Sequence, residues 1–511
     1  MPHIFLYGHP GTGKSTIGKI LAQNLELQFV DLDRVIEANA GMFIPEIMEQ
    51  QGETRFRDFE TSLLKMLVVE NESVIGLGGG ALLREGNRRI AESHGKVILL
   101  TAKFETLLER LDQDSIKRPL LAGDLRAKLL SLLVQRDEHY NSFPYRVQVD
   151  GNTAEQNARQ AQIILGRHHL SAMGEYDVVV ENVEQVGRLL HERGLQNPIV
   201  VTDENVARLH AEKVLESLQR FYPSPGLLTV PPGESYKTLD TVNLLWQGFL
   251  EWGLDRKSTI VALGGGMIGD LAGFAASTYM RGVHWVAVPT TLLSMVDASL
   301  GGKTGFDLPE GKNLIGSFYP PKLVLADPQV LQTLPEAELI SGMAEVVKHG
   351  IISDPELFHL CTRGLDWVKN NLEEIVKRAM AVKIKVIEED PYEKGFRAAL
   401  NLGHTVGHAV ELVSGFELKH GEAVAIGMVA EARLAERLMV ANSGLSDKIG
   451  DVLSALGLPV QIPPELPREE ILGAMKVDKK KNASRKAIRF ALPAEIGRVE
   501  LVDVTDLESV L

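Results

Sequence analysis

The feature that most restricts the fold of this chain is a glycine-rich loop between a short apolar run and an amphipathic run. Residues 3–16 read HIFLYGHPGTGKST, in which Gly8, Gly13, Lys14 and Ser15 occupy the positions of a P-loop. Backbone N–H groups of such a loop cradle phosphates, the lysine adds positive charge, and the serine hydroxyl can bind Mg²⁺. This motif requires a buried strand before it and a helix after it. The sequence therefore predicts an α/β domain with a phosphate site at the end of its first strand.

Size and charge restrict the classes of function. The 511 residues suffice for about three domains, and the net charge of -14 disfavours an extended nucleic-acid surface while leaving room for local basic pockets. The single cysteine, Cys361, excludes an internal disulfide framework and fits a reducing cytosol. The chain enters its first strand without a secretory signal, and its most apolar stretch, 259–277, contains Asp270 and several glycines. We expect a cytoplasmic protein without a membrane span.

Apolar periodicity predicts the domain boundaries. Short apolar strands alternate with helical segments over residues 1–165 and again over 176–325, which predicts a first α/β domain and then a doubly wound nucleotide-binding sheet. The segment 166–175, GRHHLSAMGE, is polar and without periodicity. We expect it to be a linker in which His168 and His169 are solvated.

Residues 326–511 have apolar side chains spaced by three and four positions, which predicts a mostly helical domain. Within it, residues 397–422 contain His404 and His408 one helical turn apart, and His420 follows. Imidazoles four positions apart share one helix face and are common metal ligands. The spacing favours a metal site, although a pair of structural histidines is the alternative interpretation.

Further polar clusters in the first domain are candidates for an acceptor site. Asp31 and Asp33 follow an apolar run, at the strand end where open sheets bind ligands. Arg57 follows Gly52-Glu53, Gly79 lies in a run of three glycines, and Arg136 follows a helical segment. Arginine forks suit carboxylates. The alternatives are a solvated turn for the aspartates and ordinary surface positions for the arginines.

The order GHPGTGKST, DLD, GETRFR, GGG, RPLL and RDEHY over residues 1–165 resembles shikimate kinase. The resemblance implies that Ser15 and Asp31 bind Mg²⁺, that Asp33 activates the shikimate 3-hydroxyl with Lys14 assisting catalysis, and that shikimate is bound by Asp33, Arg57, Gly79 and Arg136. It implies an ATP site formed by Gly11, Thr12, Gly13, Lys14, Ser15, Thr16, Arg110 and Arg118, the last on a mobile lid. The alternatives are another small-molecule kinase, such as a gluconate or nucleoside monophosphate kinase, and a regulatory nucleotide switch.

A second nucleotide motif occurs in the middle of the chain. Gly264-x-Gly266-x-x-Gly269 follows an apolar strand, which indicates dinucleotide binding, but no acidic residue ends the next strand, HWVAVP. Asp203 and Glu234 are candidates to replace it. Polar residues then concentrate in what we expect to be ligand-binding loops: Thr290, Thr291, Asp297, Lys303, Lys312 and Asn313.

Residues 172–511 resemble 3-dehydroquinate synthase through TDEN, PPGESYK, GGGMIGD, PTTLL, DASLGGKTG, GKNLIG, SGMAEVVKHG, NLGHTVGH and HGEAVAIGM. The resemblance implies a Rossmann-like NAD domain at 176–325 and a helical domain at 326–511 that binds metal and substrate. It implies Zn²⁺ or Co²⁺ held by Glu345, His404 and His420, so that His408 is a catalytic residue instead of a ligand.

The same resemblance implies the remaining site residues. NAD is bound by Asp203, Asn205, Glu234, Lys237, Gly265, Gly266, Asp270, Thr290, Thr291, Lys312 and Thr333. The substrate, 3-deoxy-arabino-heptulosonate 7-phosphate, is bound by Arg281, Asp297, Lys303, Asn313, Lys348, Lys383, Arg397, Asn401 and Lys480. Of these, Lys303, Lys348, Arg397 and Asn401 also act in catalysis.

The implied chemistry is a redox-neutral conversion in which NAD is recycled, phosphate leaves and 3-dehydroquinate forms. The alternatives are a polyol dehydrogenase and a cyclase that acts on glucose 6-phosphate. The resemblance also implies a homodimer through the synthase domain. Because the two reactions are not consecutive, we expect the two halves of the chain to work independently.

Overall fold

The chain forms two compact units in the computed structural model, residues 1–169 and 170–511. The structure describes residues 2–113, 123–309, 311–480, 487–508 and 510, except for the side chains of 477–480. The division between the units falls within the segment for which we expected a linker.

The first unit alternates strands and helices. Its strands are β1 (His3–Gly8), β2 (Gln28–Asp31), β3 (Ser73–Gly76), β4 (Gly95–Thr101) and β5 (Arg146–Gln148). Its helices are α1 (Lys14–Asn24), α2 (Leu32–Ala40), α3 (Ile44–Leu67), α4 (Glu85–His94), α5 (Phe104–Asp112), α6 (Leu125–Asn141) and α7 (Ala154–Leu165), with a 3-10 turn at Ala81–Leu83.

The five strands of the first unit form a parallel sheet in the order β2-β3-β1-β4-β5. The central strand β1 is buried along its whole length, as expected for a parallel strand covered on both faces. Ile4 and Leu6 belong to one hydrophobic core, and Phe5 and Tyr7 to another, because successive side chains point to opposite faces of a sheet. Strand β1 therefore delivers the P-loop to the carboxyl edge of the sheet.

The segment after α7 differs from our expectation. Residues Arg167–Leu170 form strand β6, and His168 is only 8% exposed. The side chain of His169 is also largely covered. The alternation of buried and half-buried residues along RHHL is a strand pattern of only four residues, too short to recognise among polar side chains. The prediction of solvated histidines was wrong.

The second unit begins with β-strands, most of them parallel, that are connected by helices. Its strands are β7 (Tyr176–Val180), β8 (Gln196–Asp203), β9 (Gly226–Val230), β10 (Ser258–Gly264), β11 (His284–Pro289), β12 (Lys303–Leu308), β13 (Gly311–Phe318) and β14 (Leu323–Ala326). The helices between them are α8 (Val186–Glu192), α9 (Glu204–Val206), α10 (Glu212–Gln219), α11 (Leu239–Glu251) and α12 (Gly266–Thr278).

The rest of the unit is mostly helical. It contains α13 (Glu336–Ser353), α14 (Pro355–Cys361), α15 (Leu365–Asn370), α16 (Leu372–Glu389), α17 (His404–Val413), α18 (His420–Arg437), α19 (Leu445–Ala455), α20 (Arg468–Lys480) and strands β15 (Ile488–Glu495) and β16 (Arg498–Val504). Short 3-10 or π-helical turns lie at Val183–Gln185, Ala207–Ala211, Glu234–Tyr236, Tyr279–Arg281, Ser294–Ala298, Pro328–Thr333 and Phe396–Asn401.

Six strands of the second unit are neighbours in the order β7-β14-β11-β10-β8-β9, and all of these pairs are parallel. The carboxyl ends of β8, β10 and β11 therefore meet at one edge, where doubly wound sheets bind ligands. The predicted fold class is confirmed: a P-loop domain, a Rossmann-like sheet and a mostly helical region.

Two local predictions need correction. The segments with Lys303, Lys312 and Asn313, for which we expected loops, form the antiparallel hairpin β12–β13. The run 397–422 is not one helix, because Gly403, with φ of 79°, precedes α17 and a separate helix α18 begins at His420. Glycines and polar residues concealed the strands of the hairpin, whereas a run that reads as helical is divided between α17 and α18.

Candidate active sites

The P-loop begins where β1 ends. Gly11 and Gly13 have φ values of 86° and 87°, a left-handed conformation that glycine adopts without strain. Gly13 is the N-cap of α1, so the first N–H groups of that helix lie at the loop. The ammonium of Lys14 donates hydrogen bonds to the carbonyls of Gly8 and His9 at 2.8 and 3.0 Å. The loop is thus folded around its lysine, with helix N–H groups directed at the phosphate site.

Oxygen ligands for a divalent cation lie beside this loop. The Ser15 hydroxyl donates a hydrogen bond to Asp31 Oδ2 at 2.7 Å, and Asp31 ends strand β2. A hydroxyl and a carboxylate at hydrogen-bonding distance are a donor set that Mg²⁺ prefers. These residues fit the ion that the resemblance implies.

Asp33, in the first turn of α2, is the buried carboxylate of this site. Burial, with the negative charge of Asp31, raises the pKa of Asp33 to about 6. Its Oδ1 has no hydrogen-bond partner among the described residues, and a Cβ atom at Gly78 would lie only 2.8 Å from it. Asp33 is therefore a poised proton acceptor beside a glycine that leaves room for a ligand.

Arg57 is held by two acids of its own helix. Its guanidinium donates to Glu60 Oε2 at 2.7 Å and to Glu53 Oε1 at 3.1 Å. Glu60 is fully buried, and burial raises its pKa to about 7 although Arg57 opposes this shift. The sequence analysis missed Glu60, although its spacing of three residues from Arg57 places both on one helix face.

Arg136, the second arginine predicted to bind shikimate, lies on α6. Its Nη1 donates to the carbonyl of Gly79 at 2.7 Å, and the hydroxyl of Tyr140 donates to the same oxygen at 2.6 Å. Arg110 Nη1 donates to the carbonyl of Gly11 at 3.3 Å. Arg118 lies outside the described residues. The structure thus places the other predicted arginines of this unit against the P-loop or the glycine run.

In the second unit, a lysine joins several residues predicted to bind NAD. Lys237 is 4% exposed, and its Nζ lies 2.7 Å from Asp270 Oδ2 and 3.7 Å from Glu234 Oε1. It also donates to Asn313 Oδ1 at 2.7 Å. Burial raises the pKa of Asp270 to about 6 although Lys237 opposes this shift. These polar groups form one connected cluster.

The other residues predicted to bind NAD follow strand ends. Asp203 ends β8 and accepts the N–H groups of Asn205 and Val206 at 2.9 and 3.0 Å. Gly265 and Gly266 lie between β10 and α12, and Thr290 N–H donates to the carbonyl of Gly264 at 2.9 Å. Two further members of the set are held by side-chain contacts: Thr291 accepts the Ser294 N–H, and Thr333 contacts His210.

Adjacent residues of the hairpin face different partners from those that we expected. Asn313, predicted to bind substrate, contacts Lys237 of the NAD set. Lys312, predicted to bind NAD, forms an ion pair with Glu411 at 3.2 Å and lies 4.2 Å from the ring of Phe416. Asn313 has a φ of 56°, so the backbone turns between these two neighbours and their side chains reach different partners.

Three residues converge as a candidate metal centre. Glu345 lies in the middle of α13, His404 begins α17 and His420 begins α18, and one ligand atom from each lies within 4.8 Å of the others. Glu345 Oε1 is 3.5 Å from His404 Nε2 and 3.6 Å from His420 Nε2. His408, the partner suggested by helical spacing, is exposed, and its ring lies edge-on to that of His404 and tilted against that of His420.

The second nitrogen of each imidazole has its own partner. His404 Nδ1 is 3.1 Å from the carbonyl of Leu402, and His420 Nδ1 is 3.5 Å from Glu411 Oε2. Such contacts orient a histidine so that Nε2 faces a metal. Two nitrogens and one carboxylate are a catalytic zinc set, which leaves positions open for substrate. The residues therefore fit a divalent cation.

The charges of the centre also suit a cation. Although burial opposes it, Lys348 and the two histidines hold the pKa of Glu345 well below its usual range. Burial lowers the pKa of His404 to about 3, so its imidazole is neutral as a ligand must be. Against the effect of burial, Glu345 and Glu411 raise the pKa of His420 to about 9. Two carboxylates that stabilise a proton here would also stabilise a metal ion.

Three lysines predicted to bind the substrate are each paired with an acid. Lys383 donates to Asp297 Oδ1 at 2.6 Å and lowers the pKa of Asp297 to about 2 against the effect of burial. Lys303 pairs with Glu393 at 3.0 Å, and Lys348 forms an ion pair with Glu345. The other predicted positions are Arg281, in a left-handed conformation, buried Arg397, exposed Asn401, and Lys480, whose side chain lies outside the described residues.

Sequence reasoning missed three acids of the second unit that support these sites. Glu411 contacts His420, Asp307 contacts the Lys237 loop, and Glu431 binds the start of α17. Glu411 lies seven residues after His404, so helical periodicity could have found it. The other two act across contacts between distant elements and leave no local pattern.

Comparison with known families gives a consistent result. Residues 10–165 match the family described as shikimate kinase. Residues 227–341 match the family 3-dehydroquinate synthase N-terminal, and residues 342–481 match 3-dehydroquinate synthase C-terminal.

Individual proteins are similar to parts of this chain. A 3-dehydroquinate synthase of Synechococcus sp. is 45% identical over 312 residues, which are 60% of this chain and 84% of that protein. A crystal structure of 2-deoxy-scyllo-inosose synthase with carbaglucose-6-phosphate, NAD⁺ and Co²⁺ is 27% identical, covering 67% of this chain and 98% of its own, with a TM-score of 0.61. A shikimate kinase of Acinetobacter baumannii with shikimate is 36% identical, covering 32% of this chain and 93% of its own, with a TM-score of 0.31.

The fold, the sites and these matches define a chain of two enzyme classes, a P-loop kinase followed by a synthase with the fold of the sugar-phosphate cyclases. The chain belongs to the 3-dehydroquinate synthase family, and it carries a shikimate kinase domain at residues 10–165. None of its described helices is long and apolar enough to cross a bilayer.

Proposed function

We propose that the first unit transfers the γ-phosphoryl group of ATP to the 3-hydroxyl of shikimate, with the residue roles assigned here. The buried Asp33 with its unpaired Oδ1 carries this proposal, because a carboxylate beside the phosphate loop can accept the hydroxyl proton. A regulatory switch has no need of such a group.

The P-loop N–H groups and Lys14 would hold the phosphates, and Ser15 and Asp31 would hold Mg²⁺, which would neutralise phosphate charge. Arg57 and Arg136 would bind the shikimate carboxylate. Glu60 fixes Arg57, whereas Arg136 would have to exchange its hydrogen bond to Gly79 for the carboxylate. The Gly78–Gly79 backbone leaves space for the ring.

The test is ADP formation with ATP and Mg²⁺, with and without shikimate. We expect ADP formation to depend on shikimate, and gluconate or a nucleoside monophosphate should not replace it. ADP formation independent of any acceptor would contradict the proposal.

We propose that the second unit binds NAD and Zn²⁺ or Co²⁺ and converts 3-deoxy-arabino-heptulosonate 7-phosphate to 3-dehydroquinate and phosphate. The convergence of Glu345, His404 and His420 carries this proposal. Bound NAD would supply a reversible hydride acceptor, and the cation would supply a Lewis acid.

The protein residues would hold the substrate through its two charged ends and its hydroxyls. Lys303, Lys383 and Arg397 supply positive charge for the carboxylate and phosphate, which offsets the acidic charge of the whole chain. Lys348 neutralises Glu345, and the exposed His408 beside the two ligand histidines could move a proton at the substrate. Asp203 and the Lys237 cluster would bind the dinucleotide.

Two products distinguish this reaction from that of a polyol dehydrogenase. We expect phosphate release from the heptulosonate phosphate with no accumulation of NADH, because the hydride returns to the substrate. Stoichiometric NADH without phosphate would favour the dehydrogenase, and turnover of glucose 6-phosphate would favour another cyclase.

We further propose that the protein is a homodimer through the synthase part and is cytoplasmic. The resemblance to the two families supports both statements. Light scattering of the purified chain tests the first, and cell fractionation tests the second. A monomer, or recovery with membranes, would contradict them.

A further inference from the structure

A buried acid links the two helices that begin with the candidate metal ligands. Glu431 lies three turns into α18, the helix that starts at His420, and it is fully buried. Its Oε2 accepts the Gly403 N–H at 2.6 Å and its Oε1 accepts the Val406 N–H at 3.3 Å. Because the N-cap of α17 is a glycine without a side chain, Glu431 replaces the missing cap from a neighbouring helix.

The peptide unit between Leu402 and Gly403 has a partner at each end. Its N–H donates to Glu431, and its carbonyl lies 3.1 Å from His404 Nδ1. A peptide unit is planar, so fixing its N–H also fixes the direction of its carbonyl. Glu431 therefore acts on His404 Nδ1 through one rigid plane, which leaves Nε2 directed at Glu345.

The contact between α17 and α18 leaves little freedom for this arrangement. A Cβ atom at Gly427 would lie 1.9 Å from the Gly403 carbonyl oxygen, and one at Gly407 would lie 2.9 Å from that of Ala423. The backbones approach so closely that α17 cannot shift toward α18. Sliding or rotation of the first turn of α17 is resisted by the hydrogen bonds to Glu431.

We propose that Glu431 is a positioning residue of the metal centre, which holds His404 in its ligating orientation through the Leu402–Gly403 peptide. This inference rests on the proposed metal site at Glu345, His404 and His420. It predicts that loss of the Glu431 acceptor weakens metal binding more than it weakens the fold.

The test is titration of the metal-free full chain with Co²⁺, followed by visible absorption. Mutation of a residue that orients a metal ligand typically lowers metal affinity by about 10- to 100-fold. We therefore expect E431A to raise the Co²⁺ Kd by this factor. E431Q keeps one acceptor oxygen for Gly403 and should recover part of the loss. Leu434→Ala, which removes a buried side chain of the same helix one turn away, is the matched control and should lower stability without changing the Kd.

An E431A protein that binds Co²⁺ within twofold of the wild-type Kd would overturn the proposal. A Kd raised equally by L434A would do the same, because the effect would then follow from stability alone. If E431A does not fold, Glu431→Leu, which fills most of the same space but has no acceptor oxygen, decides, and an unchanged Kd overturns the proposal. Failure of the wild-type chain to bind Co²⁺ would instead refute the metal site itself.

Discussion

At the scale of single residues, buried carboxylates in the two units differ in protonation because their neighbours differ. Burial raises the pKa of Asp33 to about 6, and the negative charge of Asp31 adds to this shift. Glu345 is fully buried, but Lys348 and two imidazoles hold its pKa far below the usual range. The first arrangement suits a proton acceptor, and the second suits a permanent anion that binds a cation.

Asp33→Asn removes the proposed proton acceptor with almost no change in shape. A positioned general base contributes about 10²- to 10⁴-fold, so we expect kcat for shikimate-dependent ADP formation to fall by that factor. Asp58→Asn, at a half-exposed acid paired with Arg84, is the control and should keep the wild-type rate. A kcat of D33N within threefold of wild type would contradict the role of Asp33.

At the scale of elements, the sequence predicted the P-loop, the strands that end at the sites and the helices with strong periodicity. It predicted neither β6 nor the hairpin β12–β13, because their short, polar or glycine-rich strands carry no clear alternation. Helical spacing suggested His404 and His408 as a ligand pair, whereas the structure joins His404 to Glu345 of another helix. Contacts between elements distant in sequence are set by tertiary packing, which local periodicity does not encode.

Asp307 connects the hairpin β12–β13 to Lys237 by a hydrogen bond. Asp307 N–H donates to the Lys237 carbonyl at 2.7 Å, and Asp307 Oδ1 accepts the Asn313 N–H at 2.7 Å, where Asn313 is held at a φ of 56°. We expect Asp307→Ala to raise the Kd for NAD and the KM for substrate by about 10-fold each, as for loss of a charged hydrogen-bond partner. Calorimetry and initial rates measure these changes.

Leu314→Ala, at an exposed position of the same hairpin, should alter neither constant and serves as the control. If D307A changed only the thermal stability, the hairpin would not depend on Asp307 for ligand binding.

Strand β6 predicts a pH dependence of stability. Burial lowers the pKa of His168 to about 4, so the folded state disfavours its protonation. The contribution of neutral His168 to the free energy of unfolding is then fully present above the unfolded pKa of about 6.5. It is lost as the pH falls toward 4, and the loss at pH 5 is about 2 kcal/mol. Denaturant unfolding measures the free energy of unfolding at pH 7.5 and at pH 5. We expect the decrease between these two pH values to be smaller for His168→Leu than for wild type.

The exposed His94 offers a matched comparison. His94→Leu should lose as much stability at pH 5 as the wild-type chain. If the free energy of unfolding decreased equally in H168L and wild type between pH 7.5 and pH 5, His168 would not titrate in this range.

At the scale of the whole molecule, the two families occupy separate compact units, and each unit contains all the residues of its own proposed site. The product of one reaction is not the substrate of the other, so the chemistry gives no reason for transfer between the sites. The fusion places the two units in a one-to-one ratio in every chain.

Reciprocal variants of the intact chain test this independence. Lys14→Ala should abolish shikimate kinase activity and keep synthase activity, whereas Glu345→Gln should do the reverse. Dipicolinate in excess Mg²⁺ should reproduce the effect of E345Q by removing the tightly bound cation. Both activities are measured on one preparation, and a variant that loses both would contradict independence.

Helix α13 limits how this enzyme can change over generations. Residues 341–352 are buried on every side, and Glu345 and Lys348 neutralise each other within that stretch. A change at either position alone breaks a buried ion pair, which typically costs about 3 to 5 kcal/mol. Single substitutions in this helix are therefore disfavoured by charge as well as by side-chain volume.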